Sequence, residues 1–194
     1  MANMNGIEIK SVKSFYGRKG YVSQGSLYLD KKKIGFYSED EEADELPVRF
    51  DCDETGKRIF RERIRQHFEK YPLLDYEKIQ QMSIEEYRLK QKNQQLPLMN
   101  MEQEAEDFVL RTFMKELLHI RKMEQSYKKA VKAGYQAIME VHYILLEGCM
   151  NRKDEIYYTN EPVKIYEKVY LESREEGLAV ELKLYMSKKD FVIY

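Results

Sequence analysis

Near Asp53 the spacing of apolar residues changes, and that change decides the fold class. Before it the pattern has a period of two: Ile7 and Ile9, then Phe15 and Tyr16, Tyr21 and Val22, and Leu27 and Leu29, separated by Gly17, Gly20 and Gly25. Alternation of this kind puts one set of side chains on one face of a strand, so residues 1–52 are expected to form an antiparallel meander of short strands. Asp30 and the lysines after it read as a polar turn, residues 34–37 as a third strand, and residues 46–51 as a fourth that Pro47 confines to an edge or a strand start. After Asp53, Phe60, Ile64, Phe68 and Tyr71 recur at three and four residues, which is the stripe of a helix that Pro72 stops.

Helical signals continue through residues 53–134. Residues 73–95 read as further helix, with Ser83 and Glu86 spaced as a capping box. Asn100 is a good N-cap for the longest helix, residues 101–133. Its early turns carry Glu102, Glu104, Glu106 and Asp107 and its last turns Lys128, Lys129 and Lys132, which complements the helix dipole. Gly134 closes it.

Residues 135–146 then read as a strand, with 156–158 pairing back across the polar 151–154. Pro162 occupies a first helical position, and Ile165, Val169 and Tyr166, Tyr170 carry the spacing to a stop at Gly177. Strands at 178–185 and 191–194 complete residues 135–194 as β-β-α-β-β. The expected class is α+β in one compact domain over 1–194, with the helices segregated in the middle.

Such a chain needs no staples. With 194 residues, 43% hydrophobic and 35% charged, it has material for a core inside a charged surface. Only Cys52 and Cys149 are present, far apart, which fits a reducing compartment. The polar N-terminus has no apolar leader, and the most apolar stretch is interrupted by Gln136, Glu140 and His142. A cytoplasmic protein with no membrane partner is the expectation.

Several motifs suggest chemistry. Asp51-Cys52-Asp53-Glu54-Thr55-Gly56 followed by Glu62 matches a calcium loop at every slot but Thr55. A calcium loop, however, follows a helix and has an aliphatic residue where Arg58 stands, whereas a strand precedes this one. Asp53 or Thr55 as the N-cap of the next helix accounts for the same residues. The D-x-D-x-T phosphatase pattern fits too, but the downstream acidic pair and βα alternation that chemistry requires are missing from the sequence.

Gly20 to Ser26 lacks the Lys that a phosphate loop places after its second glycine, and its glycines read as serving hairpin turns or a bulge. Gly17-Arg18-Lys19-Gly20 reads as a polar turn before an anion nest. His67, His119 and His142 share no ligand spacing. Neither a Ser-His-Asp set nor a base near Cys149 is visible. No cofactor is expected, and no metal, with Asp51, Asp53, Thr55 and Glu62 as the one alternative.

Net charge is −1, yet the charges are segregated. Glu39, Asp40, Glu41, Glu42, Asp44 and Glu45 form an acidic block, and Lys57, Arg58, Arg61, Arg63 and Arg65 a basic one. On a helix Arg58, Arg61 and Arg65 fall on one stripe, a pattern that suits phosphates or an acidic partner as well as a solvated face. There are sixteen tyrosines, many in the later half of the chain, and no tryptophan. Tyrosine favours interfaces. The long helix is apolar around a broad arc from Phe108 to Ile120, which leaves room for a homodimer through it.

The first forty residues resemble small accessory proteins of phages and mobile elements of Firmicutes. Those open with a strand, a Gly-Arg-x-Gly-Tyr turn, and an apolar strand ending Tyr-x-Asp-x-Lys-Lys. The matching residues are Val12, Lys13, Phe15, Gly17, Arg18, Gly20, Tyr21, Leu27, Tyr28, Leu29, Asp30, Lys32 and Lys33. Where that pattern continues into a Gly-rich stretch, this chain has its acidic block. The resemblance implies a bacterial host cell and a class of function: non-enzymatic proteins that bind host machinery, among them anti-CRISPR inhibitors of RNA-guided nucleases, a type II effector above all.

On that reading the acidic loop, or the basic set Lys57, Arg58, Arg61, Arg65, Arg18 and Lys19, is the docking surface. The competing expectations are a nucleic-acid-binding protein using the basic stripe and a divalent-metal protein or enzyme using Asp51, Asp53 and Glu62.

Overall fold

The computed structural model describes residues 2–17, 20–40, 48–71, 101–144, 155–175 and 179–194. The fold is α+β. The chain forms two compact units, one of residues 2–119 with 193–194, the other of residues 120–192.

The first unit holds a six-stranded sheet made of β1 (Asn3–Met4), β2 (Ile7–Gly17), β3 (Gly20–Leu29), β4 (Lys32–Asp40), β5 (Val48–Phe50) and β9 (Val192–Ile193), in the order β5-β4-β3-β2-β1-β9. Strands β1 to β5 pair antiparallel in sequence, as the alternation predicts. Two two-residue turns set the register. Asn5-Gly6 and Asp30-Lys31 all have positive φ (49°, 84°, 47° and 70°), which matches the strand twist of a hairpin. The turns are tied together by Asp30 N donating to Gly6 O at 2.8 Å.

The meander differs from expectation in strand length, since β2 has 11 residues and β3 has 10. Gly25, read from sequence as a turn or bulge glycine, lies inside β3. There it faces a bulge in β2 between Lys10 and Lys13, where Ser11 has φ 53°. A Cβ on Gly25 would lie 2.8 Å from Ile9 Cγ1, so the strand continues only because the side chain is missing. β5 is the edge strand, as Pro47 suggested, although Pro47 itself lies outside the described residues.

Helix α1 (Glu54–Lys70) turns Phe60, Ile64 and His67 inward. Phe60 meets Phe50 edge to face at 5.3 Å. Asn5 Nδ2 donates to Arg63 O (2.8 Å), fastening the first turn of the sheet to the helix. Helix α2 (Met101–Lys132) contributes buried Phe113, Met114 and Leu117 to this unit, with Phe113 against the rings of His67 (5.3 Å) and Phe68 (6.3 Å). Of the broad apolar arc that suggested a dimer through the long helix, Phe113, Met114, Leu117 and Ile120 are buried, Val109, Leu110 and Leu118 are half-buried, and Phe108 is exposed. The expected helix over 73–95 and the caps at Ser83 and Asn100 lie outside the described residues.

In the second unit α2 ends as Gly134 predicted. Gly134 has φ 90°, its N–H reaches Val131 O, and Tyr135 N–H reaches Ala130 O, the paired bonds of a Schellman end. β6 (Ala137–Ile144) is the centre of an antiparallel sheet in the order β7-β6-β8, flanked by β7 (Glu155–Thr159) and β8 (Ala179–Tyr185). Helix α3 (Pro162–Glu175) covers one face, where Val169 joins Met139 and Val141, with Tyr143, Ile165 and Leu182 around them. Toward the other face, Phe191 stacks on Tyr185 at 5.1 Å and touches the ring of Tyr127, whose hydroxyl donates to Met186 O. Residues 191–194 were expected to be a strand. Instead Lys188–Phe191 is a 3-10 turn capped reciprocally by Ser187 and Asp190, and only Val192–Ile193 is extended.

Candidate functional site

The Asp51–Glu62 segment is built as a helix start. Asp53 has extended backbone and its Oδ1 accepts from Gly56 N at 2.8 Å, so the carboxylate satisfies one of the donors a helix leaves open at its N-terminus. Thr55 lies in the first turn, exposed. Asp51 is exposed and reaches Lys33 only at 4.0 Å. Glu62 stands nine residues up the helix from Asp53, about 13 Å along its axis at the usual rise. There it accepts from Arg65 (2.7 and 3.0 Å) and Gln66 (2.8 Å), bonds that hold its carboxyl below the ordinary range. A calcium loop needs these carboxylates to converge, and the helix between them keeps them apart.

The basic stripe is present on α1, with Arg58, Arg61 and Arg65 exposed. Part of it is neutralised along its own helix. Arg65 pairs with both Glu62 and Glu69, and Lys57 with Glu54, each contact 2.6 to 2.7 Å. Arg63, on another side, pairs with Asp30 at 3.3 Å. Interleaving carboxylates at three and four residues gives a solvated, self-paired face with a smaller net field than five adjacent cations in sequence imply.

A second assembly lies at the far end of the β2–β3–β4 sheet. The hairpin pairs Gly17 with Gly20 and Tyr16 with Tyr21, and β4 runs alongside so that Glu39 is opposite Ser23 and Asp40 opposite Val22. The acidic block thus begins within a few residues of the hairpin end. Phe15 and Tyr16 there are 47% and 84% exposed. Arg18, Lys19, Glu41, Glu42, Asp44 and Glu45 lie outside the described residues.

Sequence reasoning missed the polar groups buried in the second unit. Glu140 is buried on β6, accepts from Tyr185 Oη at 3.0 Å and lies 3.5 Å from His142 Nε2. Burial, then the charge and hydrogen bond of Glu140, push the Tyr185 phenol far above its usual range. On the α3 face Glu155 accepts from both Tyr157 and Tyr143. The Glu155 hydrogen bond, then burial, drives the Tyr157 phenol upward as well. Phenols shifted this way stay protonated and act as hydrogen-bond donors to carboxylates, the reverse of the lowered values that make a base or nucleophile at neutral pH. The signal in the sequence was Glu140 itself, a carboxylate in the middle of an apolar strand.

Cys149 lies outside the described residues, and Cys52 is half-buried and free. No described helix is long and apolar enough to cross a membrane. No family model, curated protein or solved structure matches the chain.

Proposed function

We propose that this is a non-enzymatic binding protein that docks the end of its first sheet, with the acidic block of Glu39 to Glu45, onto a basic surface of a host protein. The observation that carries the reading is the strand register that brings exposed Phe15 and Tyr16 to the same end of the β2–β3–β4 sheet as Glu39 and Asp40, which open a run of six acidic residues within seven in the sequence. Aromatic anchors beside clustered charge supply the two ingredients of a protein interface, buried apolar area and electrostatic steering. A partner that suits it is an RNA-guided nuclease of type II, whose channel for the guide–target duplex is positively charged. The N-terminal resemblance to phage accessory proteins points to the same class of target.

The test is target cleavage by a purified type II effector in the presence of increasing protein. Stoichiometric inhibition that weakens with salt is expected. Reversing Glu39, Asp40, Glu41 and Glu42 to Lys, or changing Tyr16→Ala, should abolish it, and Arg58→Glu with Arg61→Glu should leave it unchanged. Failure to bind the effector at micromolar protein removes this partner. Inhibition lost with the arginines and kept by the acidic reversal transfers the function to the basic stripe.

A further inference from the structure

The solvent side of α3 is apolar where a surface helix is normally polar. Val169 and Ser173 point into the unit, and the opposite face presents Val163, Tyr166, Tyr170 and Leu171, each at least 50% exposed. Tyr166 and Tyr170 stack on one another with rings nearly parallel at 6.2 Å, which holds them as one flat aromatic surface. Three of the helix's other charges are occupied locally, Lys164 with Glu161 at 2.7 Å and Lys168 with Glu172 at 3.8 Å, while Glu175 is exposed on its last residue. Glu167 and Arg174 are exposed and form no ion pair among the described residues.

Those two charges stand seven residues apart, so at 100° per residue they share one stripe, about 10.5 Å apart along the axis. Tyr170 and Leu171 lie midway between them. An anion, an apolar centre and a cation, symmetric about the 170/171 midpoint, make a self-complementary surface. Against a second α3 running antiparallel about a two-fold axis through that midpoint, each Glu167 faces an Arg174 and each Tyr170 faces a Leu171. A parallel arrangement would set like charges against each other and is disfavoured.

We infer that the outer face of α3 is a docking surface for a second copy of this chain, in an antiparallel helix pair fixed by reciprocal Glu167–Arg174 contacts. One fourteen-residue helix face is smaller than the ~800 Å² per partner of a standard interface, so the dimer is a weak one that forms in the micromolar range. It belongs to the other unit from the sheet end proposed to meet the host protein.

Sedimentation velocity from about 1 to 500 µM tests it, since weak dimers of micromolar Kd populate over that range. The wild type should shift from monomer to dimer, less so at high salt. Glu167→Arg or Arg174→Glu should each weaken the dimer by ~10-fold or more, because each converts two attractive contacts into two repulsive ones. Both side chains are solvent-exposed, so these variants keep the fold. The double swap Glu167→Arg with Arg174→Glu should restore the wild-type constant within ~3-fold, and mixing the two single variants should restore dimer between them. A protein that stays monomeric throughout, or a dimer indifferent to these reversals, overturns the inference. So does a face that captures only an unrelated protein.

Discussion

Replacing Asp53 by Ala separates a helix cap from a metal ligand, because the two roles respond differently to a second, milder change. The side chain makes one hydrogen bond that matters here, from Gly56 N to Oδ1 at 2.8 Å, at a residue with extended backbone. Loss of such a cap costs about 1 kcal/mol. For a protein of this size that lowers Tm by about 2–4 °C, or moves a urea midpoint by ~0.5 M with an unchanged slope. Asp53→Asn should cost almost nothing, since an amide oxygen caps as well as a carboxylate.

Asp51→Ala and Thr55→Ala, at exposed positions, should stay within about 0.5 kcal/mol of wild type. Glu62→Ala loses only exposed intrahelical bonds and should leave the unfolding midpoint close to wild type. The assay is thermal and urea unfolding followed by circular dichroism, with and without millimolar calcium. The reasoning fails if calcium raises the wild-type Tm and Asp53→Asn or Asp51→Asn removes that rise, because a ligand bound only to the folded state must stabilise it in this way.

Gly35→Ala should be among the most damaging small changes, at about 3 kcal/mol. Its Cβ would sit 2.4 Å from Arg49 O and 3.0 Å from Phe50 Cα, main-chain atoms of β5 that cannot step aside, and a Tm within 2 °C of wild type would contradict this geometry. Tyr185→Phe should cost about 1–3 kcal/mol, since buried Glu140 loses its hydroxyl donor at 3.0 Å. A neutral result in urea unfolding would mean that Glu140 is satisfied without it.

Asp190 should titrate below its unfolded value of about 3.9. Its burial acts upward but is outweighed by hydrogen bonds from Met186 N, Ser187 N and the Ser187 hydroxyl. Its contribution to stability is accordingly complete above the unfolded pKa and is lost as pH falls through the lower folded one. An NMR titration of its side-chain carboxyl carbon with a midpoint at or above 3.9 would refute this.

What could be read from the sequence was local. Phe60 and Ile64 marked the buried side of α1, Asp53 its cap, Gly134 the end of α2 and Pro162 the start of α3, because each rests on spacing or backbone chemistry within one turn. Where spacing left alternatives open, contacts between elements decided among them. Gly25 could serve a turn or a bulge by sequence, and the bulge at Lys10–Lys13 on the neighbouring strand decides between them. The stripe Arg58, Arg61, Arg65 was legible locally, and so were Glu62 and Glu69, three and four residues from Arg65, which pair with it. Tyr166 and Tyr170 share the spacing of Ile165 and Val169, and only the position of the sheet decides which pair faces solvent. For the candidate site, the two charge blocks were visible as composition, while the exposed Phe15 and Tyr16 beside the acidic strand end required the register of three strands.

The pairing of β9 beside β1, with Asn5 N donating to Ile193 O at 2.7 Å, bears on how the protein is made. Residues 120–192 form a unit of their own between the two stretches that build the first sheet. A ribosome therefore delivers the opening strand long before its outermost neighbour, and at ~5–20 residues per second that edge waits roughly 10–40 s for its partner. Through that interval the nascent sheet carries an open row of amide and carbonyl groups, the period in which a chaperone or a second nascent chain has its best access.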